Sequence, residues 1–357
     1  MTGAGAGPGD PRAGEPRRDV ILEARGLTRH FRVGGVFSRD ILHAVDHVDL
    51  VIGEREIVAL VGESGSGKST VARLLALLYR PTAGEILFRG RPVSALRSRR
   101  RTLDYRRRVQ MVFQDPFSSL SPVYPVSHAI VRALALHRPE LSARERRAEA
   151  ARLLEQVGLT PAAEVMGKYP HELSGGQRQR VGFAAALACR PEVILADEPV
   201  SMLDVSIRIG ILNLMTRLRK EEGVSFLYIT HDLASARYVA DRMLVMYAGR
   251  VVEAGPCEQV LTDPRHPYTR LLLSAAPDPW APLEETSLGD SGEPPRMVNP
   301  GPGCRFAPRC PLAEEICAHA TPTLTELRPA HAAACHVAER EAASASQVRT
   351  DQDGIRS

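Results

Sequence analysis

The sequence predicts an α/β fold: a parallel sheet covered on both faces by helices. An antiparallel β part precedes it, an all-helical part interrupts it and a small cysteine-bearing tail closes it. Three observations predict this. Short apolar runs (Glu56 to Val61, Val193 to Ala196, Ser225 to Ile229) alternate with segments of helical period, as in crossover-connected parallel strands. The first run opens directly into Gly62-Glu63-Ser64-Gly65-Ser66-Gly67-Lys68-Ser69-Thr70, which fits G-x-x-x-x-G-K-[ST] and is followed by apolar residues at helical spacing. Between about residues 115 and 188 the period is helical almost throughout.

Taken in order, residues 1–19 are rich in Gly, Pro and Ala, lack the apolar centre of a signal peptide and read as a disordered leader. Val20 to Ala24 and Ala44 to Leu50 alternate as antiparallel strands do. After the glycine-rich loop, Val71, Leu74, Leu75 and Leu78 predict a helix that Pro81 stops. Glu85 to Phe88 reads as a strand. Arg97, Arg99, Arg100, Arg101, Arg106, Arg107 and Arg108 read as a solvated helix face before the strand Val109 to Phe113. Ile130, Leu134, Leu153, Leu154 and Val157 carry the helical part, and a further helix spans Ile207 to Arg219. Val245 to Glu253 reads as a hairpin turning at Gly249, which closes the main domain near residue 276. Seven prolines between 277 and 303 mark a linker; residues 304–337 form the cysteine-bearing region and 338–357 a disordered tail.

The bulk numbers fit a soluble multi-part chain. Its 357 residues exceed one ordinary domain, and 44% hydrophobic with 25% charged residues supports a large core. A net charge of +4 is too slight to argue for nucleic acid, and no apolar run approaches the roughly 18 residues of a membrane span. A cytosolic, reducing setting is expected, so the six cysteines are not a disulfide framework.

The glycine-rich loop sits where a P-loop NTPase core places it, between a buried strand and a helix. Its backbone N–H groups and the helix dipole suit phosphate, Lys68 suits the β- and γ-phosphates and Ser69 suits Mg²⁺. Asp197-Glu198 ends another buried strand. Asp197 is the candidate Mg²⁺ holder, and Glu198 the candidate for orienting or deprotonating the attacking water. Leu173-Ser174-Gly175-Gly176-Gln177 sets a second glycine-bearing helix start in a chain with one phosphate loop. Such a duplicate makes sense when it serves a nucleotide held by another subunit.

These strings, in this order over residues 20–335, resemble the ATP-binding subunit of an ABC transporter. The resemblance implies that Gln114 meets Mg²⁺ or the water, and that Ser174, Gly175, Gly176 and Gln177 close over ATP held by a second ATPase subunit. It also implies that Asp204, in Ser201-Met202-Leu203-Asp204, runs between two active sites, that His231 contacts the γ-phosphate, and that Phe31 stacks on adenine. Val200 and Met202 stand where threonine and alanine are commoner. Tyr169-Pro170-His171-Glu172, Asp263 to Thr269, Gly303 to Phe306 and Pro308 to Pro311 look like the peptide and nickel importer branch. That branch implies a sister or identical ATPase chain, two membrane permeases, an extracytoplasmic binding protein and a place on the cytoplasmic face of the membrane. Nickel or oligosaccharide cargo, or a soluble non-transport ATPase, are the alternatives.

Cys304, Cys310, Cys317 and Cys335 are separated by five, six and seventeen residues, unlike paired zinc-finger spacing. Four soft thiolates suit iron–sulfur or zinc. The resemblance favours a four-iron four-sulfur cluster, with zinc or free thiols open beside it. Cys189 and Cys257 read as packing residues.

Overall fold

A computed structural model describes residues 19–35, 38–95, 98–115, 120–275 and 297–344. Its strands are β1 (Val20–Arg32), β2 (Ile41–Gly53), β3 (Ile57–Val61), β4 (Ala83–Phe88), β5 (Arg91–Pro92) and β6 (Val109–Val112). The chain continues with β7 (Val193–Asp197), β8 (Ser225–Thr230), β9 (Arg242–Tyr247), β10 (Arg250–Pro256), β11 (Thr325–Arg328) and β12 (His331–Ala333).

The alternating runs at the start pair as expected. β1 and β2 form a long antiparallel ribbon inside a four-stranded sheet of order β2-β1-β4-β5, burying Leu22, Leu27, Val48 and Leu50. The continuous apolar runs go to the second sheet, of order β11-β12-β10-β9-β3-β8-β7-β6. Strands β9, β3, β8, β7 and β6 are parallel, and every residue of β3, β7, β8 and β9 is buried. Burial on both faces is what removes polar alternation from such strands. At the β9–β10 turn, Ala248 and Gly249 both take positive φ (48° and 88°), the geometry that matches a tight hairpin to strand twist.

Helices Val126–His137, Ala143–Gln156, Ala162–Met166 and Gly175–Leu187 make the helical part. Ile130, Leu134, Leu154 and Phe183 share one apolar core with Ile194 and Phe226 of the parallel sheet. The helix after the glycine-rich loop is shorter than predicted. It ends at Leu75 because Leu77 turns left-handed (φ 56°), leaving Leu78 half exposed. The arginine stretch forms the helix Arg99–Arg108, where Arg107 and Arg108 pair with Asp104 and Arg108 also with Glu192. Arg97 lies outside the described residues.

The boundaries of the C-terminal part differ from expectation. Of the predicted linker, 277–296 lies outside the described residues, but Val298 bridges Leu42 of β2 and Asn299 bonds the backbone of Ile41. The predicted disordered tail is helical from 336 to 344: Ala338 is buried and Arg340 forks onto Glu314. A polar, alanine-rich composition conceals such packing, because one small buried residue and one ion pair leave no periodic signal. The leader, residues 1–18, lies outside the described residues.

Candidate active site

Four loops leave the carboxyl ends of four neighbouring parallel strands, β3, β8, β7 and β6, and so meet along one edge of the sheet. On β3, the loop owes its shape to glycine. Gly62 (φ 149°) and Gly67 (φ 105°) stand where an added Cβ would lie 2.1 Å from the Met246 carbonyl oxygen and 2.2 Å from that of Ala44. Lys68 is buried, and its Nζ donates to the carbonyls of Gly62 and Glu63, both at 2.7 Å. Burial pulls its pKa down, against the nearby Glu198, Asp197 and Glu63 carboxylates. A buried ammonium held by neutral carbonyls at the head of the helix Lys68–Leu75 suits a polyanion.

Ser69 Oγ donates to Asp197 Oδ1 at 2.8 Å, joining the loop on β3 to the end of β7. Burial pushes the Asp197 carboxyl up, opposed by the Ser69 hydroxyl and the charges of Arg73 and Lys68. A buried carboxylate beside a hydroxyl is an oxygen donor set that fits Mg²⁺. Glu198 follows with positive φ (45°), its N–H held by the Ile229 carbonyl at 3.0 Å. Gln114 Nε2 donates to Glu198 Oε2 at 3.0 Å, and His231 Nδ1 lies 3.5 Å from the same oxygen. Residues read from three separate strings thus converge on one carboxylate.

The second glycine-bearing start is placed elsewhere. Ser174 caps the helix Gly175–Leu187, accepting from the Gln177 N–H while Gln177 Oε1 accepts from the Ser174 N–H. An added Cβ on Gly176 would lie 2.2 Å from Ile207, so glycine lets the helix Val205–Glu222 approach. Asp204 precedes that helix and is exposed. Phe31 on β1 packs edge-on against Tyr79 with the Arg29 guanidinium 4.5 Å from its ring. Ser64 and Gly65 are exposed, and Ser66 is buried with its carbonyl accepting from Gly249 N–H at 2.9 Å. Thr70, half-buried, is in the first turn of the loop's helix.

Comparison with known proteins agrees with this edge. Residues 45–201 match the family model described as ABC transporter, and residues 252–317 match that of the oligopeptide/dipeptide transporter C-terminal region. The oligopeptide transport ATP-binding protein AppF of Bacillus subtilis is 42% identical over 325 residues, 90% of this chain and 98% of AppF. A Brucella ovis protein, named as a peptide import ATP-binding protein, is 44% identical over 317 residues, 88% of this chain and 97% of its own. The chain belongs to the ABC transporter ATP-binding family. It is an ABC ATPase of the oligopeptide/dipeptide transporter type. Among solved structures, the ATP-binding cassette MJ0796, dimeric and bound to ADP and Pi, matches with TM-score 0.60 and 30% identity, covering 66% of this chain and 99% of that one.

In this ABC ATPase the C-terminal region extends the parallel sheet through β12 on β10. Cys304, Cys310, Cys317 and Cys335 line one pocket with Phe306, Leu312 and His336. Among the described residues, His30, His43 and Asp46 bring three ligand atoms within 4.8 Å of one another. Asp46 is itself taken by Arg250 and Arg305. Cys189 and Cys257 are buried, and burial pushes their thiols up to about 12 and about 11, as suits packing residues. Sequence reading missed three residues that touch the phosphate loop: Tyr268, Arg309 and Gly249. Tyr268 lies in the string Asp263 to Thr269 and Arg309 beside Cys310, but nothing local in either string points to the loop.

Proposed function

We propose that this chain is the ATP-driven motor of a peptide importer, resting on the cytoplasmic face of the membrane. The observation that carries the reading is the convergence of Gln114 and His231 on one carboxylate oxygen of Glu198 beside the phosphate loop. The oligopeptide-type C-terminal region and the peptide-import names of the relatives support the cargo class. Among the described residues, no helix is long and apolar enough to cross a membrane, so separate permease subunits would form the path.

In this reading Lys68 and the loop Gly62 to Thr70 bind the phosphates, Ser69, Gln114 and Asp197 hold Mg²⁺, and Phe31 packs on adenine. Mg²⁺, when bound, neutralises phosphate charge. Glu198 orients the attacking water and takes its proton, with Gln114 and His231 holding that carboxylate and reaching the terminal phosphate. Positioning and charge stabilisation of this kind carry most of phosphoryl transfer. Ser174, Gly175, Gly176 and Gln177 are spent on a helix start and a neighbouring helix within their own chain. Their outward face is therefore assigned to ATP on a second ATPase subunit, with Asp204 between the two sites. ATP-dependent closure of that pair would bias two permeases that receive peptide from an extracytoplasmic binding protein.

The cysteine pocket is assigned a four-iron four-sulfur cluster held by Cys304, Cys310, Cys317 and Cys335. Soft thiolates are the ligands such a cluster takes, and all four cysteines line the one pocket. The cluster would cross-link three separate stretches of the C-terminal region.

Glu198→Gln tests the motor. Phosphate release by the full chain should fall about 10²- to 10⁴-fold while ATP binding persists. Near-normal hydrolysis would overturn the role of Glu198.

A further inference from the structure

The C-terminal region grips the phosphate loop from behind. Arg309 closes the short turn Ala307–Arg309, directly before Cys310. Its Nη1 donates to Glu63 Oε2 at 2.9 Å and its Nη2 to Glu63 Oε1 at 3.1 Å, a two-pronged bond across 246 positions of sequence. The side chain is largely buried, and its guanidinium lies 5.7 Å from the centre of the Tyr247 ring. Phe306, fully buried, wedges between Tyr247 and Tyr268 and fixes the turn that carries Arg309.

Glu63 is thereby held at every polar atom it has. Arg309 takes its carboxylate, Tyr268 Oη accepts from its N–H at 2.9 Å and Lys68 Nζ donates to its carbonyl. The Gly62–Glu63 peptide is pinned at both ends, since the Gly62 oxygen also accepts from Lys68 Nζ. Three residues on, the Ser66 carbonyl accepts from Gly249 N–H, whose turn is braced by a bond from Arg305 to the Ala248 carbonyl. A forked guanidinium–carboxylate bond fixes orientation as well as distance, which a lysine cannot reproduce.

We propose that Arg309 is a positioning residue for ATP binding: by clamping Glu63 it presets the phosphate-loop peptide, so the cysteine-bearing region completes the nucleotide site of its own chain. The inference rests on the reading of Gly62 to Thr70 as the loop that holds the phosphates. It goes beyond that reading by assigning the loop's geometry to a side chain outside the cassette.

The test uses the full chain, a fluorescent ATP analogue and steady-state hydrolysis, with Arg309→Gln, Arg309→Lys, Glu63→Gln, the Glu63→Gln/Arg309→Gln double variant and Lys68→Ala. Arg309→Gln should weaken nucleotide binding and raise KM about tenfold with little change in kcat. Arg309→Lys should fall between it and the parent, and it serves as the readable variant if Arg309→Gln fails to fold. The double variant should lose no more than either single one, since both remove the same bond. Losses that add in the double variant, or a lowered melting temperature with unchanged affinity, would overturn the proposal. Lys68→Ala separates the two layers. If it binds ATP like the parent, the phosphate-loop reading itself fails; if it loses binding while Arg309→Gln does not, only the role of Arg309 fails.

Discussion

The phosphate loop and the cysteine-bearing region lie against each other and are built on opposite plans. The loop is local. Nine consecutive residues, Gly62 to Thr70, carry it, and it needs an absence of side chains where the Met246 and Ala44 carbonyls come close, even though Arg309 holds Glu63 from outside. The cysteine-bearing region is held from a distance. Arg305 reaches Asp46 and Ala248, Arg309 reaches Glu63, His331 pairs with buried Glu253, and Asn299 ties back to Ile41 and Asp40. Backbone constraint is short-range and leaves a string in the sequence. Ionic anchoring is long-range and leaves isolated arginines that look like any surface charge.

Gly67→Ala should break the loop side of this contrast hardest. It forces a side chain to a φ of 105° and sets its Cβ 2.2 Å from a backbone oxygen that has no rotamer to yield. ATP binding should be lost, as read by nucleotide titration. Gly65→Ala is the control: at φ 77° it meets nothing within 4 Å, so only the left-handed strain of about 1–2 kcal/mol applies. Equal effects from the two would show that the close approach at Gly67 does not shape the loop.

On the other side, the four cysteines should act together. Full chain prepared without oxygen should carry iron, labile sulfide and broad visible absorption, and Cys310→Ser should lose all three. Colourless, metal-free protein would leave the pocket as packed thiols, in keeping with burial pushing Cys304, Cys310 and Cys335 up towards their neutral forms. A stoichiometric zinc content without absorption would overturn the cluster in favour of a zinc site on the same thiols.

The sheet and the catalytic edge were legible for the same reason the loop was. A parallel strand buried on both faces must be apolar throughout, so β3, β7 and β8 announce themselves, and the residue that ends each one must face the loop edge. Asp197 and Glu198 could be read from that alone, whereas His231 came only through the family resemblance. The end of the helix after Lys68 was misjudged because its apolar spacing continues past Leu75, while Leu77 turns the backbone left-handed. Strands β11 and β12 were not legible. They are four and three residues long, and β12 joins β10 beside a Glu253–His331 contact that spans 78 positions. Arg309 and Tyr268 escaped likewise, since neither carries a local sign of its partner.

The smallest expected effect sharpens the contrast most, because it reads the ionic anchoring through pH. Asp46 on β2 faces His30 and His43 at 3.9 Å, His47 at 2.9 Å, and the guanidiniums of Arg250 and Arg305. Burial alone would raise its carboxyl. The bonds from His47 and Arg250 and the charges of Arg250 and Arg305 outweigh burial and hold it well below the usual carboxylate range. A group depressed in the folded state adds stability that is complete above its unfolded value, about 3.9, and fades as pH falls below it. Asp46→Asn should therefore cost about 2 kcal/mol at pH 7, the low side for a buried pair because the amide oxygen still accepts a bond. The melting-temperature gap should stay level from pH 8 to pH 5 and close below about pH 4. A gap that instead widened as pH fell from 7 to 6, where imidazoles gain charge, would trace the anchoring to the three histidines. Arg305 would then not be what ties the cysteine-bearing region to the antiparallel sheet.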